Sequence, residues 1–186
     1  MEDNEEKIIS APTEEQLWEI ISADFKNDPD PLEYHSILEQ EDRRVILDIF
    51  NNHAVGFEAI AFTSFNAFIY DRSNFRFTIH NEGFKDEIAK IFGMQDIVLG
   101  YKDFDEKFII KTNDENKTAT LFADPELRAT LLTLPSLSFS IVEYTLDDGD
   151  GKAPFLELKL AKSITDVQLL RKVYNAFFKV LQSIEI

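Results

Sequence analysis

The chain has no cysteine. Disulfides, thiolate nucleophiles and cysteine-held zinc or iron–sulfur centres are therefore excluded, and the composition fits a reducing compartment. Glycine is scarce as well, with six residues scattered along the chain. Neither G-x-x-x-x-G-K-[ST] nor G-x-G-x-x-G occurs, so the backbone cradles that hold phosphates are missing. The G-x-S-x-G elbow of serine hydrolases is also absent. His35, His53 and His80 lie far apart, with no H-E-x-x-H and no i, i+4 pair. That spacing indicates no histidine metal site. Solvated side chains are the expectation for His53 at a turn and His80 at a strand end. No apolar run approaches the roughly 20 residues of a membrane span. The amino-terminal MEDNEEKIIS has no basic n-region or apolar stretch, so no signal peptide is expected and the cytoplasm is the expected location.

Hydrophobic content of 44% and charged content of 29% place the chain among globular proteins. Phenylalanine is over-used, at 17 residues, which is enough ring area for a large core. The length suits one domain. Residues 1–10 read as a frayed acidic lead, and 11–186 as a single unit. Within it, 11–50 is an acidic, largely helical segment and 57–186 holds the sheet. Net charge is −16, and residues 1–60 carry 16 acidic and 4 basic side chains. Such a surface repels nucleic acid and anionic lipid. It keeps a protein in solution, and it also suits a basic protein partner or mimicry of nucleic acid.

Local signals mark the elements. Thr13 caps a helix with Gln16 three residues on and acids in the first turn. Leu17, Ile20, Ile21 and Phe25 share its face, with Trp18 at the border. Pro29 and Pro31 end it. Leu32 to Arg44 reads as helical, and Val45 to Phe50 as a strand or that helix's buried end. Strands at 66–71 and 74–80 form an expected hairpin across Asp71–Asn74. Phe84 to Phe92 reads as a helix ended by Gly93. A strand at 107–112 precedes short helices at 113–122 and 125–134, the second with Asp124 as cap and Pro125 at its first position. Strands follow at 137–146 and 155–161. Ser163 then caps a final helix, with Asp166 at the capping-box position. Val167, Leu170, Tyr174, Phe177, Leu181 and Ile184 stripe that helix, and Leu169, Val173, Phe178 and Val180 widen the stripe. It predicts a helix laid across a sheet rather than a coiled coil.

The chemistry is sparse. Asp147-Asp148-Gly149-Asp150-Gly151 partly matches a calcium loop, which spaces carboxylates two apart and puts glycine at the sharp turn. With Gly151 at that glycine, Asp148, Asp150 and Glu157 become candidate ligands for calcium or magnesium. The first ligand position is Leu146, which binds no hard cation. A polar hairpin loop explains the same residues, and no other cofactor is indicated. Asp103 and Asp105 read as turn residues that satisfy backbone N–H groups. Arg43 and Arg44 neutralise the acids around them, or clamp an anion. Phe57, Phe62, Phe65, Phe68, Phe75 and Phe77 predict a core, or the lining of an apolar ligand pocket.

From about Tyr101 onward the pattern resembles an uncharacterised family of bacterial domains of unknown function. The resemblance rests on the strand start Phe104-Asp105-Glu106-Lys107-Phe108 and the helix Pro125-Glu126-Leu127-Arg128 running into Leu131-Leu132. Two strands and an amphipathic terminal helix follow. Members often carry membrane segments upstream, where this chain has an acidic helix. The resemblance implies a fold and no activity, since that family brings no catalytic residues to carry over. The expected architecture is α+β, an antiparallel sheet with helices on one side and the long C-terminal helix packed on it. The expected function is a non-catalytic interaction or ligand-binding domain, whose partner is a basic protein or a small apolar ligand. A carboxylate-based hydrolase, with or without a divalent cation, is the alternative.

Overall fold

A computed structural model describes residues 7–52, 60–70, 73–82, 93–145 and 151–184. The order of elements is β1 (Ile8–Ser10), α1 (Glu14–Asn27), β2 (Glu33–Gln40), β3 (Arg43–Asn52), β4 (Ile60–Phe68), β5 (Phe77–His80), β6 (Gln95–Ile97), α2 (Lys102–Lys107), β7 (Ile109–Thr112), α3 (Glu115–Leu121), α4 (Pro125–Thr133), β8 (Leu137–Thr145), β9 (Lys152–Leu160) and α5 (Val167–Ile184). The strands form one sheet in the order β1-β2-β3-β4-β9-β8-β5-β7-β6. Among the described residues only the β1–β2 pair is parallel. The α+β reading holds.

The first helix starts where its cap predicts. Thr13 Oγ1 accepts from the Gln16 amide at 3.3 Å, satisfying one of the orphan donors of a helix start. Its inward residues are Leu17, Trp18, Ile21 and Phe25. The face is rotated from the expected one: Trp18 is inside, and Ile20 is 41% exposed. Trp18 turns inward because its ring meets Tyr174 of α5 edge-on, at 5.5 Å.

Residues 33–44 correct the helical reading, Val45 to Phe50 take the strand alternative, and 33–52 run as β2 and β3. They form the β2–β3 hairpin, joined by Glu41 and Asp42, both at positive φ. Such a two-residue turn matches the right-handed strand twist. The hairpin expected from β4 to β5 is not formed. β4 lies between β3 and β9, and β5 between β8 and β7. The Phe104–Lys107 motif is helix α2, not strand, and β7 begins only at Ile109. Asp105 accepts from the amides of Leu99 and Gly100, both at 2.8 Å. This is the expected turn role, and it holds Gly100 at φ +84°, where a side chain would be strained. The helix expected at 84–92 lies outside the described residues apart from its stop, Gly93, which is at φ +90°.

Short helices end on side chains. Asp124 caps α4 through the Glu126 amide at 2.8 Å and pairs with Lys179 of α5. Lys107 Nζ donates to the carbonyls of Leu132 and Leu134, both at 2.6 Å. It thereby satisfies acceptors at the end of α4, and desolvation pushes its ammonium below the ordinary lysine value. Asp166, not Ser163, caps α5, accepting from the amides of Gln168 and Leu169.

Alternation fixes the core face of the sheet. Leu47, Phe65, Leu158, Phe139, Ile79 and Ile110 stand in one register row, and each is buried. Phe177 of α5 meets Phe65 at 5.9 Å and Phe139 at 6.0 Å. Phe122, which follows α3, meets Phe77 at 5.5 Å and Phe104 of α2 at 6.0 Å. Each fully buried ring contributes about 1.5–3 kcal/mol of hydrophobic stabilisation. Thr63 Oγ1 fastens the approach to α5, donating to the Lys162 carbonyl and accepting from the Ile164 amide.

Candidate functional site

The second face of the sheet carries what the core does not absorb. Residues one position removed from the core row face the other way. One such row runs Asn66, Glu157, Ser140 and Thr78 over β4, β9, β8 and β5. The next runs Ser64, Lys159, Ser138 and His80. A sheet face left to water would be polar along its whole width. This one is polar in the middle and aromatic at two places. Phe50 and Phe62 stack at 5.7 Å. Tyr70, Phe68, Phe155 and Tyr144 make a second group, with Tyr70, Phe68 and Tyr144 all exposed.

The polar middle is closed where β5 meets β8. Thr78, Ser138, Ser140 and His80 are all buried. This corrects the expectation of a solvated His80, which is 3% exposed. Its Nδ1 lies 2.9 Å from the Asn81 carbonyl. That carbonyl only accepts, so the proton sits on Nδ1 and Nε2 carries the lone pair. Burial lowers the pKa of the imidazole, which keeps it neutral. Nε2, Thr78 Oγ1 and Asn66 Oδ1 are buried without a hydrogen-bond partner among the described residues. At the far end of this face His35 Nδ1 and Asp48 Oδ1 are 2.5 Å apart. Ser64 pairs in register with Asp48 rather than with His35, so the three do not line up as a nucleophile, base and orienting acid.

Of the candidate cation ligands, Asp148 and Asp150 lie outside the described residues. Glu157 stands in β9 and accepts a hydrogen bond from the Tyr144 hydroxyl. Among the described residues no three His, Asp or Glu side chains gather as a metal site. Arg44 is paired with Glu39 at 2.8 Å, the neutralising role expected of it. Phe65, Phe75 and Phe77 are core residues, while Phe62 and Phe68 belong to the second face. Phe57 and His53 lie outside the described residues.

Among the described residues, two grooves lie between helices. One, of about 390 Å³, runs between α1 and α5 past Glu15, Glu19, Lys26 and Arg171. Arg171 is already held by both carboxylate oxygens of Glu14. The other, of about 300 Å³, lies between α2 and α4. There the Arg128 guanidinium stacks 3.4 Å above the Tyr101 ring and donates to the Phe122 carbonyl at 2.5 Å. Neither groove brings a nucleophile against a base. Sequence reasoning missed Asn66, Tyr144 and Tyr70. The signal available was the alternation of rings with polar residues in β4 and β8, which marks a face and leaves its partner undefined.

Among the described residues no helix is long and apolar enough to cross a membrane. Comparison of the chain with protein-family models, curated proteins and solved structures finds no match.

Proposed function

We propose that this chain is a non-catalytic interaction domain. Its helices lie on one side of the sheet, and the opposite face meets a basic protein partner. One observation carries the reading: half-exposed rings and isoleucines stand on the sheet face opposite the core row that α5 covers, where a solvated sheet would be polar. The net charge of −16 supplies the sign of the partner, since charge complementarity steers encounter and excludes like-charged surfaces. A small apolar ligand fits less well. The interior phenylalanines touch one another and fill the core, and both grooves are lined with charged groups.

The test is to map an interaction. A photo-crosslinker at Tyr70, exposed and on the second face, identifies a partner, which is then purified and titrated. The expected partner is basic, and added salt weakens its binding. Asp48→Lys and Glu157→Lys weaken it further, while Glu19→Lys on the helical side has a smaller effect. The reading fails if the interface maps to the helices. It also fails if the purified chain turns over a defined substrate and a point variant abolishes turnover without unfolding it.

A further inference from the structure

The aromatic group at the β4–β9–β8 corner has a defined geometry. Phe68 and Phe155 stand opposite each other in register, with ring centres 5.7 Å apart. Tyr70 sits edge-on to Phe68 at 4.7 Å, and Tyr144 edge-on to Phe155 at 5.3 Å. The four rings form one continuous run. Tyr70 is 79% exposed, Tyr144 44% and Phe68 39%. The Tyr144 hydroxyl donates to the Glu157 carboxylate, which fixes a negative charge beside the rings.

Rings beside a carboxylate make a cation site, because the ring quadrupole and the carboxylate attract the same charge. Elsewhere some rings already hold the chain's own cations. Lys159 lies over Phe62, Lys117 over Phe75 and Arg128 over Tyr101. Among the described residues no lysine or arginine lies over Phe68 or Phe155. We infer that the Tyr70–Phe68–Phe155–Tyr144 run with Glu157 receives a lysine or arginine side chain of a basic protein partner. The inference rests on the reading of the second face as an interaction surface. Other occupants fit less well. An apolar segment would bury the Glu157 charge without compensation. Nucleic acid and a second copy of the chain both meet the −16 charge as like charge.

The experiment is calorimetric titration of the full chain with a short lysine- and arginine-rich peptide and with its lysine-acetylated, citrulline-containing analogue. Phe68→Thr and Tyr144→Thr leave the net charge unchanged. Each is expected to weaken binding about two- to fivefold, the range of one exposed cation–π contact. Ile60→Thr, on the same face and 58% exposed, is expected to leave it unchanged, and the neutral analogue is expected not to bind. Circular dichroism and Tm check each variant's fold. Should a ring variant unfold, ring-proton shifts of the unaltered chain during the titration decide instead, with Phe68 and Phe155 expected to move and Phe50 not. Binding that ignores both ring variants, or shifts no ring, and only tracks salt overturns the inference and leaves the wider reading standing. A chain that binds no cationic peptide overturns both. A dimer that the ring variants disperse overturns the choice of occupant.

Discussion

Protonating His80 would add a second ring N–H in a buried place where Nε2 has no partner among the described residues. Desolvation is the largest cause holding its pKa below the ordinary 6.5. The sign follows by linkage. Below 6.5 the unfolded chain binds a proton that the folded chain refuses, so stability is present above that value and drains away as pH falls through the depressed folded value. Urea denaturation at about pH 7.5 and about pH 5.5 checks it. The chain is expected to lose more stability between the two than the His80→Leu variant does. Equal losses would mean that His80 is not the group responsible. The burial of His80 was not legible locally, because a histidine at a strand end is solvated unless distant strands enclose it.

At the scale of elements, the caps of α1 and α4 were legible, and the cap of α5 and the strand pairings were not. Thr13, Asp124 and Pro125 act where their spacing places them, since a cap bonds amides two or three residues away. The β2–β3 hairpin escaped notice because its turn is Glu41-Asp42 and lacks the Asn-Gly or Asp-Gly signature. Both residues sit at positive φ, 50° and 61°, a conformation that costs an L-residue roughly 1–2 kcal/mol. Gln182 of α5 donates to the Glu41 carboxylate at 2.8 Å, which helps to hold the strained turn in place. Asp42→Gly is therefore expected to stabilise the chain by about 1 kcal/mol, less the backbone entropy that glycine adds to the unfolded state. Chemical denaturation reads the change, and a loss of stability would show that the Asp42 side chain serves the turn in another way.

For the whole molecule, the charge of −16 sets a self-repulsion that opposes the compact state. Ion pairs such as Lys7–Asp24 and Arg171–Glu14 pull the other way, and salt screens both. Raising ionic strength from about 10 mM to about 150 mM shortens the screening length from about 30 Å to about 8 Å. Repulsion acts over longer distances than contact pairs and is screened more. Tm is expected to rise by about 2–4 °C, the equivalent of about 1 kcal/mol in a chain of this size. A fall in Tm would show that the pairs outweigh the repulsion.

The amino-acid sequence by itself determined the α+β class, the caps of α1 and α4, the stripe of α5 and the acidic balance, because each follows from neighbours within a few residues or from a simple count. It also excluded cysteine chemistry and the common phosphate loops. Only the tertiary structure decided that β4 lies beside β9, that Phe104 belongs to a helix, and that His80 is enclosed while Phe68, Tyr70 and Tyr144 stand outward. Strand alternation assigns side chains to two faces without saying which face a helix will cover. That choice rests on contacts between distant segments, chiefly Phe177 of α5 with Phe65 and Phe139, and the candidate site is the face those contacts leave over.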